Sequence, residues 1–114
     1  MTAARESALI AVVDGLEAEL RRMRLWEHEP PREELLASPQ PFCVDTLACS
    51  QWIQWLLIPR MRRILAGDGE LPTSSAIHPY AEDCFEHVDD PSALLLLIER
   101  FDGLIRGETA VVTH

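Results

Sequence analysis

The residues able to hold a metal or attack an electrophile are few and scattered. Cys84 and His87 stand three apart, the spacing that puts two ligands on one side of a helix, and Cys43, Cys49 and His78 are the further candidates. The paired close spacings of structural zinc sites are absent. Cys84 reads instead as a small core residue, so no metal is expected. Glu82, Asp83 and Glu86 bring carboxylates together, but on a stretch that reads as an exposed acidic helix, with nothing to raise a pKa. There is no Gly-x-Ser-x-Gly elbow, no P-loop and no dinucleotide fingerprint. The expectation is a non-enzyme with no catalytic residue and no cofactor.

Recognition is the remaining chemistry. Trp52 and Trp55 precede Arg62 and Arg63 in one segment. On an ideal wheel of about 100° per residue the two indoles lie on the side that later carries these two arginines. Two indoles and two guanidiniums make a protein-binding hot spot, and they also suit stacking on bases. The competing reading buries both indoles in the core, each N–H with a backbone partner. Phe42, in a proline-rich strap, completes this candidate surface. The acidic trio Glu82, Asp83 and Glu86 forms a second face, suited to a basic partner.

Charge narrows the partners. Net charge is −9, unevenly spread: eight arginines face nine acids up to Arg63, then two face ten. No arginine or lysine falls between Ala66 and Glu99. Such a surface repels phosphate, which argues against direct nucleic-acid binding by this half. It would speed encounter with a basic protein; the alternative is a solvated face that keeps the chain soluble. Arg21, Arg22 and Arg24 crowd a helix end and read as dipole partners rather than a phosphate site.

The 114 residues make one domain, 1–114. No apolar run is long enough to span a membrane. The N-terminus, with Glu6 and Asp14 among its apolar residues, does not look like a secretion signal. Three cysteines, an odd count, fit reduced thiols. A cytoplasmic location is expected.

The segment from Leu47 to Gly67 organises the rest. Its first half is apolar all round, which predicts a helix covered on all sides. Ile58, Met61, Ile64 and Leu65 then narrow to one face. Thr46 is the expected N-cap, with Asp45 beside it, and Gly67 the stop. Pro59 predicts a kink near Trp55 to Pro59. Before it, Ala3 to Trp26 is amphipathic, with Leu9, Val12, Val13, Leu16, Leu20 and Met23 on one stripe. Residues 27–45 form a proline-rich connection, expected to pack against the domain with one short turn near Glu33 and Phe42 as its anchor. Pro79 begins a short helix with Ala81, Cys84, Phe85 and Val88 inward. Asp90 and Pro91 open the last helix, which runs to about Arg106. Residues 108–114 read as a frayed tail. No stretch alternates with period two, so the class is all-α: a small helical bundle of four to five helices around a buried, Pro-kinked central helix.

Four blocks carry a resemblance. QPFCVDTL (Gln40 to Leu47), QWIQWLLIPRM (Gln51 to Met61), ELP (Glu70 to Pro72) and IHPYAED (Ile77 to Asp83) occur in that order. The chain from about Leu16 to Ile105 thereby resembles the YqcC-like family of small bacterial proteins. The resemblance implies an all-helical fold and a link by name to tRNA pseudouridine synthase C, without the catalytic-domain strands and aspartate motif of such a synthase. Asp45 matches the family's Asp-Thr pair and reads as a helix-cap residue, not a catalytic acid. The expectation is an accessory or interaction protein, linked to tRNA modification, meeting a basic RNA-modifying enzyme. The alternative is a small-ligand module with a pocket between the proline strap and the central helix.

Overall fold

The computed structural model describes residues 3–107. Six α-helical stretches follow in order: α1 (Ala3–Arg22), α2 (Glu33–Leu36), α3 (Cys49–Trp52), α4 (Ile58–Leu65), α5 (Ile77–Cys84) and α6 (Ser92–Ile105). A π turn, Ile53–Leu57, joins α3 to α4, so residues 49–65 form one rod and the bundle has five helices. No strand occurs among the described residues, and none of their helices is long and apolar enough to cross a membrane. The expected tail, 108–114, lies outside the described residues.

The amphipathic stripe of α1 is buried at Leu9, Val12, Val13, Leu16 and Leu20. α1 packs along both α6 and α4, and α5 packs on α6. Gly15 permits the close approach of α1 and α6: a Cβ there would meet the Leu97 methyls at 3.1 Å. From α6 come Leu94, Ile98, Phe101, Leu104 and Ile105, and from the rod Ile53, Ile58, Met61 and Ile64. Burying a side chain of this size contributes roughly 1.5–3 kcal/mol each.

Four helix ends depart from the sequence expectation, one of them the start of α5, which lies at Ile77 and not at Pro79. α1 stops at Arg22 rather than Trp26. The Leu25 N–H donates to Leu20 O (2.9 Å) and the Arg24 N–H to Arg21 O (3.0 Å), which closes a Schellman turn with Arg24 left-handed at φ 61°. Thr46 does not cap the rod. Its hydroxyl donates to Leu35 O (2.7 Å) and so ties the strap back to α2. Ala48 holds the cap position with no side-chain acceptor to offer, while its own N–H donates to Gln51 Oε1 (2.8 Å). Asp90 does not cap α6 either: it sits at φ 50°, with Arg22 donating to its carbonyl (2.9 Å). Gly67 ends the rod as expected, at φ 98°, with the Asp68 N–H reaching Arg63 O (3.0 Å).

The expected kink takes the form of the π turn. The Ile58 N–H donates to Ile53 O, one residue further back than in an α-helix. Pro59 thereby falls in the first turn of α4, where a missing N–H leaves no ladder bond unmade. The turn spends one residue without advancing the helix, so everything beyond it is rotated by about 100° against the ideal wheel.

Candidate functional site

That rotation redistributes the arginines. On an uninterrupted wheel Arg63 lies within about 20° of Trp52; with one residue spent in the π turn, Arg60 takes that place. Arg62 is carried toward α1, where it donates to Glu17 Oε1 (2.8 Å) and Asp14 Oδ1 (3.2 Å). The Arg62 guanidinium beside Glu17 holds that carboxyl below the usual range, against the opposing effect of burial and with help from Arg21. Burial works against the charge of Arg62, but Glu17 and Asp14 outweigh it and the guanidinium titrates above its ordinary value. Arg63 is exposed. The expected grouping of both indoles with Arg62 and Arg63 is therefore not how the rod presents them.

Trp55 is tied to the segment that follows α1. Its indole N–H donates to Glu27 Oε1 (3.0 Å), and Gln51 Nε2 donates to the other carboxylate oxygen (3.1 Å). Gln54, buried, accepts from the Glu27 backbone N–H (2.8 Å) and donates to the Glu27 carbonyl (2.7 Å), as a strand neighbour would. Gln51, Gln54 and Trp55 together hold the chain just after the Schellman turn that ends α1. The polar letters of QWIQW are thus a clamp on one residue.

Trp52 faces elsewhere. Its ring meets Phe42 edge-on at 5.0 Å, and Phe42 stacks on Tyr80 at 4.6 Å. Phe42 reaches this position through a left-handed backbone, φ 57°. Behind the cluster lie the cysteines. Burial, then the neighbouring Cys84, pushes the Cys49 thiol far up, which keeps it protonated and a poor nucleophile. Burial and Cys84 likewise raise the Tyr80 hydroxyl. No group of three potential ligands able to hold a metal occurs among the described residues.

Beside the cluster opens a groove of about 620 Å³, between the rod, the 72–77 loop and the end of α6. Met61, Ile77, Phe101 and Ile105 give it apolar walls, Trp52 and Phe42 close one end, and Arg60 stands on its rim. The strap contributes only Phe42, so the pocket expected between strap and central helix is bounded instead by the 72–77 loop and α6. Asp102, a buried acid in α6, fixes this wall. It accepts from Ser75 Oγ (2.6 Å) and from the backbone N–H groups of Ile77 (3.0 Å) and His78 (2.8 Å). Pro79 follows with no N–H, so the first turn of α5 is capped from another helix. Arg106 donates to the Ser75 carbonyl (3.2 Å) on the same wall. Glu82, Asp83 and Glu86 are exposed on α5 and the turn after it, and none lines the groove.

Arg60, Tyr80 and Asp102 were not among the site residues expected from the sequence, where Arg60 reads only as a partner of the helix dipole. Asp102 alone left a signal, as a carboxylate interrupting the run Phe101 to Ile105 on a helix otherwise apolar there.

Fold and site together define a small helical module with an open, largely apolar groove beside Trp52. The chain belongs to the DUF446 family, described as tRNA pseudouridine synthase C, whose model matches residues 8–104. It is 35% identical over 100 residues to the uncharacterized protein YqcC of Escherichia coli K12, covering 86% of this chain and 91% of that one. An uncharacterized protein of Haemophilus influenzae is 34% identical over 83 residues, 73% of this chain and 78% of that one. The solution NMR structure of E. coli YqcC superposes with a TM-score of 0.76 at 30% identity, covering 99% of this chain and 97% of that one. A Pectobacterium carotovorum protein named tRNA pseudouridine synthase C is 36% identical over 70 residues, which is 61% of this chain but 19% of that one.

Proposed function

We infer that this protein is a non-catalytic accessory module of the cytoplasm, which docks on a partner protein through the groove beside Trp52 and serves tRNA pseudouridylation. The observation that carries the docking is the groove itself: apolar, open, and rimmed by an arginine with no acidic partner among the described residues. The link to tRNA rests on the family description and on the P. carotovorum relative, in which a stretch like this chain makes up about a fifth of a protein named for that synthase. The exposed acids Glu82, Asp83 and Glu86 would speed the approach of a basic enzyme over a Debye length or so, about 8–10 Å at ordinary salt.

The test is co-purification. The tagged full chain, drawn from its native host at low salt, is expected to bring down a tRNA pseudouridine synthase, and less of it as salt rises. Trp52→Ala, checked for folding by circular dichroism, is expected to lose it. Absence of the synthase from the wild-type eluate would remove the tRNA link. A small-ligand pocket is the second reading, favoured by the groove volume, which lies in the range of small-molecule sites, roughly 300–1,000 Å³. A thermal shift with a host metabolite extract, absent in Trp52→Ala, would favour it.

A further inference from the structure

The groove differs in charge from the molecule that carries it. The chain has 19 acids and a net charge of −9, yet among the described residues no Asp or Glu lines the groove, while two arginines do. Arg60 is exposed and has no carboxylate within ion-pair distance among the described residues, unlike Arg21, Arg22 and Arg62, each of which is paired. The Trp52 indole N–H donates to no group of the described chain and is not buried, so it is open to an incoming acceptor. Its neighbour Trp55, three residues on, has its N–H on Glu27. The site therefore offers apolar walls from Met61, Phe101 and Ile105, the exposed Arg60 cation with Arg106 held on the Ser75 carbonyl, and the Trp52 N–H, with no carboxylate among the described lining residues.

We propose that the groove takes an apolar segment of a partner protein that carries a carboxylate, its hydrophobic side chains seated against Met61, Phe101 and Ile105 and its acid paired with Arg60. This deepens the docking reading above and is independent of the tRNA link. A basic segment meets Arg60 with like charge and no compensating acid, which costs enough to reject it. A neutral apolar segment fills the walls but leaves the guanidinium partly desolvated and unpaired. The acid-bearing segment alone satisfies both, and an oxygen of its backbone or side chain can accept from Trp52. The acidic surface at α5 acts at long range on the whole partner; Arg60 acts at contact on one segment.

The experiment uses the full chain, isotope-labelled, and two amphipathic peptides with the same Leu and Phe positions. One carries Glu at its polar positions and the other Lys; octanoate is the third probe. The Glu peptide is expected to move the amide signals of Arg60, Met61, Ile77 and Ile105 and the Trp52 indole signal. The Lys peptide is expected to bind about tenfold more weakly or worse, and Arg60→Glu to invert that preference. Arg60 is exposed, so the variant is expected to keep a wild-type spectrum; Arg60→Gln, which abolishes the preference without inverting it, is the milder control. Equal binding of both peptides overturns the proposal. So does octanoate binding without peptide binding, which makes the groove a small-ligand pocket. Peptide binding that appears only after removal of residues 108–114 assigns the groove to the chain's own tail instead. No binding by any probe, with synthase co-purification intact, overturns the groove as the docking face and leaves only the link to the synthase standing.

Discussion

Trp52 and Trp55 stand three residues apart on one rod and have opposite situations. Around Trp55 every polar group is closed: indole, two glutamines and Glu27 satisfy one another, and Arg62 binds Asp14 and Glu17 close by in the chain. Around Trp52 the groups are open: among the described residues the indole N–H has no chain partner and Arg60 no acid, and about 620 Å³ of groove lies beside them. The two regions share residue types and differ in whether donors find acceptors inside the molecule. An indole with an internal partner holds the fold; one without leaves its donor open.

The comparison breaks most sharply under alanine. Trp55→Ala is expected to lose about 2 kcal/mol in chemical denaturation, since it removes the indole donor from the Glu27 carboxylate at the centre of the clamp. Trp52→Ala, half-buried and with no hydrogen bond to lose, is expected to lose about 1 kcal/mol while abolishing groove binding. Equal losses would erase the distinction. Next, Asp102→Ala strips the acceptor from Ser75, Ile77 and His78 and is expected to lose about 2 kcal/mol. Its amide exchange is expected to quicken at residues 75–78 before the Glu27 clamp is affected.

A smaller effect sharpens the closed side. Arg24→Gly relieves a left-handed backbone at the Schellman turn and is expected to add about 1 kcal/mol of stability, read as a raised denaturation midpoint. The smallest concerns pH. The Glu17 carboxyl is held below its ordinary value in the folded chain, so its contribution is fully present above that ordinary value. It is lost as pH falls through the depressed one. Because Arg62 is about half exposed, the contribution is no more than about 0.5 kcal/mol. Arg62→Gln is expected to flatten the acid limb of the stability curve by that amount and to leave neutral-pH groove binding unchanged.

Much of the fold was legible because it is local. The α1 stripe from Leu9 to Leu20, the α6 stripe from Leu94 to Ile105 and the glycine stop at Gly67 follow from 3.6-residue periodicity and backbone sterics. The cap at Thr46 failed because the rod starts only at Cys49, after Ala48, and the Thr46 hydroxyl, two residues outside the cap position, donates to Leu35 O across the strap. The end at Trp26 failed because a non-glycine residue, Arg24, turned left-handed and closed a Schellman turn, after which the chain is held at Glu27 by Gln54. The candidate surface was half legible. Phe42 and Trp52 lie together, whereas Arg62 was assigned to their side on a wheel that assumed an unbroken α-helix.

The sequence by itself determined which residues are apolar on which helix, where proline and glycine forbid continuation, and that the charge is acidic. Tertiary structure alone decided that the rod passes Pro59 through a π turn, and hence that Arg60 rather than Arg63 stands beside Trp52. It also decided that α5 is capped by Asp102 from 24 residues away. Both choices lie beyond local propensity. An i→i−5 bond and a remote cap become favourable only once neighbouring helices are in place to fill the space and receive the donors.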